Sequence, residues 1–237
     1  TPFGLPSDKI LLAEYAGRKI AFLPRHGKKH QYPPHKINYR ANIWALKKLG
    51  CQQLIAPAAV GSLNPKIKPG DFVICDQFID RTKFRNDTFF NGPEVVHISF
   101  AEPYCPEMKK VAVKSCEKLN LPFHKNGTVV VIEGPRFSTK AESKFYSQNA
   151  DIINMTQYPE VVLARELEMC YLNISLVTDY DAGLKNRKDI KSVTTTQVLK
   201  MFQENNQKIK ELILEIVKNL PSRPQCFCRE ALEKARV

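Results

Sequence analysis

Thr128-Val129-Val130-Val131-Ile132 is an unbroken run of β-branched residues, and Glu133-Gly134-Pro135 follows it at once. A strand with one wet face alternates apolar and polar residues, whereas a strand apolar at every position is buried on both faces. Such a strand belongs inside a sheet with helices on each side. Working outward, the pattern switches between the two-residue and the 3.6-residue period. Residues 18–23 read as a strand ending at Pro24-Arg25-His26-Gly27. Residues 38–49 read as a helix with Ile37, Ala41, Trp44 and Lys48 on one stripe and Gly50 as its stop. Residues 53–58 and 72–75 are short strands, the second entered through Pro69-Gly70. Pro106 opens a helix running to about residue 119. Residues 151–154 form a short strand, Pro159 opens a helix through Met169, and residues 171–178 form a strand ending in Asp179-Tyr180-Asp181. Thr139 with Glu142, and Thr194 with Gln197, carry the spacing of capping boxes. The second opens a long amphipathic helix through Val198, Met201, Ile209, Leu212, Ile213 and Ile216. Strands alternating with helices give an α/β class: one domain over residues 1–220, followed by a tail, 221–237.

The chain has 237 residues, 43% hydrophobic and 25% charged, enough to build a core. That excludes a disordered tail protein, a collagen and a small disulfide scaffold. No apolar run approaches the roughly 20 residues that span a bilayer, and Pro2, Pro6, Asp8 and Lys9 interrupt the N-terminal stretch. A soluble, cytoplasmic protein with no membrane partner is expected. The charge is 36 basic minus 24 acidic, or +12, with the basic residues scattered singly and in pairs. That footprint favours an anionic small substrate over nucleic acid.

The seven cysteines are an odd number. Cys51, Cys75, Cys105, Cys116 and Cys170 sit among apolar residues and read as buried thiols. Cys226-Phe227-Cys228 lies in the polar tail after Pro221 and Pro224, where unpaired thiols are expected and a disulfide is the sharper alternative. No His or Cys cluster has zinc-finger spacing, so no metal is expected.

The chemistry-bearing residues gather at the carboxyl ends of the predicted strands, where open α/β sheets bind ligands. They are Arg25-His26-Gly27, Ala59-Val60-Gly61-Ser62, Glu133-Gly134-Pro135-Arg136-Phe137, Asn154-Met155-Thr156 and Asp179-Tyr180-Asp181. Singly each has a plain structural reading: a surface ion pair for Arg25, a tight turn for residues 59–62, loop caps for the two acids. Together they read otherwise. Asp-x-Asp at a strand end puts two carboxylates on one side of the pleat, and two close carboxylates push one pKa upward. A carboxyl protonated near neutral pH can serve a leaving group as general acid. Arg25, His26 and the amides of residues 59–61 suit a tetrahedral oxyanion, and Phe137 suits a planar ring. Anion, ring and acid point to transfer to or from phosphate with a heterocycle leaving.

Phe22-Leu23-Pro24-Arg25-His26-Gly27 and Asn38-Tyr39-Arg40-Ala41-Asn42-Ile43-Trp44-Ala45-Leu46 resemble the purine nucleoside phosphorylase superfamily, and within it the branch that cleaves methylthioadenosine. Further matches are Pro69-Gly70-Asp71, Asp76-Gln77-Phe78-Ile79-Asp80-Arg81-Thr82, Ile132-Glu133-Gly134-Pro135-Arg136-Phe137-Ser138, Asn154-Met155-Thr156 and Thr178-Asp179-Tyr180-Asp181. The resemblance runs from residue 1 to about 218. It implies a mixed sheet flanked by helices, a trimer or dimer of trimers, and phosphorolysis of methylthioadenosine without metal or organic cofactor. By position it puts Arg25, His26, Ala58, Ala59 and Thr156 at phosphate, Met155 at the ribose and Phe137 on the base. Ser138, Asp179, Tyr180 and Asp181 fall at the purine edge, with Asp179 as the catalytic acid. His97, Val198 and Leu199 fall at the methylthio end, His97 from a neighbouring subunit. Relatives that cleave 6-oxopurines carry Glu at the position of Ser138 and Asn at that of Asp179; an Asp suits the donor 6-amino group of adenine. Relatives usually have Ser or Thr where Ala58 stands, so one hydroxyl contact to phosphate, about 1.5–3 kcal/mol to a charged group, is missing. The family's Gly-rich phosphate loop lies upstream of the stretch matching Thr1-Pro2-Phe3-Gly4, and the sequence opens after it. A phosphorylase accepting adenosine or inosine, or an inactive binding protein keeping the fold, are the other classes open to this chain.

Overall fold

The computed structural model describes residues 1–183 and 193–237. Leu11–Tyr15 (β1) and Arg18–Phe22 (β2) form a hairpin turned at Ala16-Gly17, both with positive φ (51° and 72°). That is the backbone of a two-residue type I′ turn, which matches the strand twist. Next come α1 (Tyr39–Lys48), β3 (Gln53–Ser62), β4 (Phe72–Val73), β5 (Gln77–Arg81), α2 (Pro106–Lys118), β6 (Phe123–His124) and β7 (Thr128–Ile132). The chain continues through α3 (Lys140–Tyr146), β8 (Ile152–Asn154), α4 (Gln157–Glu166), β9 (Cys170–Asp179) and α5 (Thr195–Asn219).

Seven strands form one mixed sheet in the order β5-β7-β8-β3-β9-β4-β6. β3 and β9 are parallel; β8 runs antiparallel to β3, and β4 antiparallel to β9. β5, β7 and β8 are mutually parallel. β7 is buried along Val129–Ile132, as its β-branched run dictates. β9 shows the same logic in both directions. Cys170, Leu172, Ile174 and Leu176 pack with Met108, Ala112 and Cys116 of α2 and Ile209, Leu212 and Ile216 of α5. Tyr171 and Val177 point the other way, to Ile43 of α1 and Val161, Leu163 and Ala164 of α4. Helices thus cover both faces, as expected for an α/β sheet. No helix among the described residues is long and apolar enough to cross a membrane.

Both capping boxes form: Thr139 and Thr194 accept from the N–H of Glu142 and Gln197, whose side chains reach back. Gly50, at φ 84°, stops α1. Pro159 sets the regular part of α4, because Tyr158 before it is extended at φ −100°, ψ 133°. Several expectations are corrected. Residues 59–62 are not a turn: β3 continues to Ser62, its far end held by β8. The buried stripe of α1 is Tyr39, Ala41, Asn42 and Ile43, with Trp44 only half-buried and Lys48 exposed. Cys51 is half-buried. Residues 221–237 are not a loose tail. Leu220, Cys226 and Cys228 join the α2/α5 core, and Arg236 bridges to Val96.

The α5 stripe gives a direct check. Leu212 is fully buried, whereas Leu214 is 38% exposed. Leu212→Ala is expected to cost about 2–5 kcal/mol through lost transfer energy and a cavity. Leu214→Ala should cost about 0.5 kcal/mol or less. Urea unfolding of both variants measures this, and equal losses would contradict the assigned helix orientation.

Candidate active site

The β3–β9 ladder keeps one register from Gln53↔Cys170 to Val60↔Val177, then shifts, so that Gly61 faces Asp179 and Thr178 is the extra residue. A bulge of this kind re-aims a side chain at the end of a strand. The Thr178 hydroxyl donates to the Val60 carbonyl (3.2 Å) and to Asp179 Oδ2 (2.7 Å). Asp179 Oδ1 accepts the Asp181 N–H at 2.7 Å. Gly61 leaves room for this: a Cβ there would lie 2.9 Å from Asp179 Oδ1 and 3.2 Å from Asp181 Cβ.

Burial dominates the electrostatics of the two acids. It pushes the Asp179 carboxyl up to about 6; the Thr178 and Asp181 hydrogen bonds oppose it, and the nearby Asp181 charge assists it. Asp181 is also raised by burial, against the hydroxyl of Ser143, the Ala182 N–H and the hydroxyl of Ser138. Among the described residues, the buried polar atoms without a hydrogen bond of full geometry include Ser138 Oγ, Asn154 Oδ1 and Nδ2, and Asp181 Oδ2. Each such atom costs about 1–3 kcal/mol unless something bonds it. They follow β7, end β8 and follow β9, respectively, at the strand ends where a polar ligand edge would satisfy them. Met155 packs against the cluster of Val130, Ile132 and Ile153, its Sδ 2.5 Å from where a Gly134 Cβ would be. Phe137 is 37% exposed, and Tyr180 between the acids is half-buried.

The second half of the constellation centres on Arg25. Its Nε and Nη2 donate to the Glu160 carboxylate at 2.6 and 3.0 Å, and Nη1 donates to the Pro57 carbonyl at 2.8 Å. Glu160, 5% exposed on α4, also accepts the Tyr171 hydroxyl at 3.0 Å. Sequence reasoning missed Glu160. A buried Arg demands an acid partner, but nothing along the chain selects one 135 residues away. Ala58 and Ala59 follow Pro57 on β3. Thr156 is the N-cap of α4, buried, with no capping bond from its side chain. His26 Nδ1 lies 2.8 Å from the Tyr32 carbonyl, and its ring stacks on His30 at 4.3 Å. Burial lowers its pKa, so the imidazole is neutral near pH 7. Arg25, His26, Pro57 and Glu160 line a cleft of about 670 Å3 that extends between β2 and β3.

Other sequence-derived candidates stand apart. His97 is exposed, its N–H donating to Ala235 at 2.7 Å. Val198 is half-buried and Leu199 is 53% exposed on the first turn of α5. Among the described residues, no hydrogen bond or ring contact joins these three to Asp179.

Residues 1–218 match the family described as the phosphorylase superfamily. The chain is 51% identical over 238 residues to S-methyl-5′-thioadenosine phosphorylase of Thermofilum pendens, covering 100% of this chain and 89% of that protein. It is 47% identical over 243 residues to 6-oxopurine nucleoside phosphorylase of Pyrococcus furiosus, covering 99% and 88%. A crystal structure of methylthioadenosine phosphorylase from an antarctic soil metagenomic library superposes with a TM-score of 0.93 at 41% identity, covering 100% of this chain and 83% of that one.

The Arg25–Glu160 pair makes a stability prediction. Arg25→Ala strands a buried carboxylate and is expected to cost about 3 kcal/mol, the lower end for a broken buried pair because Arg25 remains 20% exposed. Adding Glu160→Gln should recover part of that loss. Chemical unfolding of the single and double variants measures it; additive losses would contradict the coupling.

Proposed function

Because the chain belongs to the phosphorylase superfamily, we propose that it catalyses phosphorolysis of 5′-methylthioadenosine, releasing adenine and 5-methylthioribose 1-phosphate. Inorganic phosphate is the co-substrate, and the reaction takes no metal or organic cofactor. The observation that carries the reading is Asp179: a half-buried carboxyl raised to about 6 at the end of β9, followed by Asp181, whose Oδ2 keeps no hydrogen bond of full geometry among the described residues.

Phosphate attacks C1′ as the bond from C1′ to N9 breaks. Positive charge grows on the ribose and negative charge on the purine. Protonated Asp179 donates to purine N7 as that charge develops, so it stabilises the transition state more than the ground state. Asp181 accepts from the 6-amino group and keeps Asp179 from ionising early. Arg25, His26, Thr156 and the backbone at Ala58 and Ala59 hold phosphate. Glu160 takes two of the Arg25 donors, so it sets where the guanidinium sits and leaves its outer edge for the anion. Phe137 stacks on the base and Met155 packs on the ribose. Val198, Leu199 and a neighbouring subunit's copy of His97 close the methylthio end. That last contact makes the active species a homo-oligomer, a trimer or a dimer of trimers; its closed symmetry is the common solution for identical chains. The seven cysteines, none paired in the structure, fit a reducing compartment, and we place the protein in the cytoplasm.

The similarity to a 6-oxopurine nucleoside phosphorylase favours a second reading, cleavage of a nucleoside such as inosine. Turnover of methylthioadenosine, adenosine and inosine with phosphate separates the readings. Preference for methylthioadenosine supports the proposal, and preference for inosine the second reading. Loss of all three activities in a folded oligomer would leave a binding protein. Three further results are expected. Asp179→Ala lowers kcat by about 10²–10⁴, and unchanged turnover in a folded variant would reject the acid role. Arg25→Lys keeps the charge but loses the fork, so it raises KM for phosphate more than KM for nucleoside. With Asp179 raised to about 6, the protonated form declines as pH rises. The value of kcat/KM, corrected for titration of phosphate itself, therefore falls above that pH, and Asp179→Asn removes this limb. A limb that survives in Asp179→Asn belongs to another group.

A further inference from the structure

The fold gathers Cys105, Cys170, Cys226 and Cys228, all buried, with every pair of sulfurs within 4.8 Å. Nothing in the proposed phosphorolysis uses them. Cys105 is the N-cap of α2, Cys170 begins β9, and the other two flank Phe227 in the C-terminal segment. The Cys105–Cys226 and Cys170–Cys226 sulfur pairs are 3.6 and 3.3 Å apart. We propose that these four cysteines form a closed, structural zinc site that ties the C-terminal segment to α2 and β9.

Geometry carries the inference. Four sulfurs placed about 2.3 Å from one zinc ion lie about 3.8 Å from each other, a tetrahedron of nearly this size. Four protein ligands leave no open position, so the site is structural rather than catalytic. An all-sulfur set selects a soft cation over magnesium or calcium. The ligands deprotonate on binding: one Zn²⁺ displaces four thiol protons, leaving a site of charge −2. Cys105 sits where the aligned N–H groups of a helix start favour a thiolate. Arg165 supplies the counter-charge. Its guanidinium lies over the Phe227 ring at 4.9 Å and is anchored on the carbonyls of Glu102 and Pro103, just before Cys105.

The site also explains how a polar, Pro-containing segment is held. Beyond Cys228 the chain pairs with the strand-like stretch around His97 through Arg236↔Val96, His97 N–H to Ala235, and Val237 N–H to Val95. A metal at the root of that segment fixes everything distal to it. The cluster is invisible as a sequence motif, because its members come from three regions up to 123 residues apart.

The test is metal analysis of the full chain produced in zinc-supplemented medium under reducing conditions. The expected result is one zinc per chain, retained on dialysis and released in step with thiol capping by a mercurial. Four of the seven cysteines should resist alkylation until zinc is removed, while Cys51→Ser keeps the metal and Cys226→Ser or Cys228→Ser loses it. Cobalt replacement of the wild-type metal should give thiolate charge-transfer bands and the visible spectrum of a tetrahedral site, a readout that does not depend on variants folding. Chain that emerges without metal would overturn the proposal, whether its four cysteines are open to alkylation or are lighter by four hydrogens as two disulfides. Full zinc occupancy in Cys226→Ser and Cys228→Ser would overturn it equally.

Discussion

Thr178 interrupts an otherwise regular parallel ladder, and the position of the acid depends on that interruption. β3 and β9 share nine paired positions, with the register shift at the last of them. Without it Gly61 would face Thr178, and Asp179 would be displaced along the strand. With it, Asp179 lies beside a residue that has no side chain, close enough that a Cβ would collide with its carboxylate. The same two strands carry the proposed anion side. Pro57 on β3 accepts from Arg25, and Tyr171 on β9 donates to Glu160. One backbone pairing therefore sets both halves of the constellation relative to each other. Catalysis by positioned groups needs that rigidity, since small misplacements of reacting groups cost large factors in rate.

The two halves use burial in opposite ways. Arg25 and Glu160 are desolvated together as an ion pair, each supplying the other's hydrogen bonds. Their mutual attraction offsets part of the desolvation and fixes the guanidinium. Asp179 is desolvated without a cation, and its carboxyl responds by holding its proton to a higher pH. The proposed chemistry, binding an anion and protonating a leaving group, calls for both outcomes within one sheet. In the sheet interior, Asn173, Ser175 and the adjacent Gln157 have partners. Ser175 donates to Asn173 at 2.6 Å, Asn173 donates to Ala56 at 2.9 Å, and Gln157 is bonded by Tyr104. Asp181 Oδ2, without a hydrogen bond of full geometry among the described residues, stands out against that pattern.

Much of this was legible in the sequence, and the reasons are local. The run at 128–132 dictates a doubly buried strand, and Thr139/Glu142 and Thr194/Gln197 dictate helix starts by bonds within four residues. Arg25, Asp179 and Asp181 stood out as candidates because strand ends concentrate chemistry-bearing residues, and the family strings then ordered them. What escaped depends on distant partners. β1 is short and exposed along its length, so no apolar alternation marks it. The register shift at Val60/Gly61 needs both strands at once. Glu160 reads as an ordinary helix acid until Arg25 is placed against it. Cys226 and Cys228 read as tail residues because the segment is polar, yet they close over a core contributed by α2 and β9.

The central claim is that burial makes Asp179 a proton donor near neutral pH, and titrating its carboxyl tests that most directly. In protein labelled with carbon-13 at the aspartate carboxyls, the Asp179 resonance is assigned by its loss in Asp179→Asn and followed from acid to neutral pH. The account predicts a midpoint near 6, well above the ordinary aspartate value of 3.8. A midpoint at or below that ordinary value would mean the carboxyl is already ionised when substrate arrives, and would contradict the acid role.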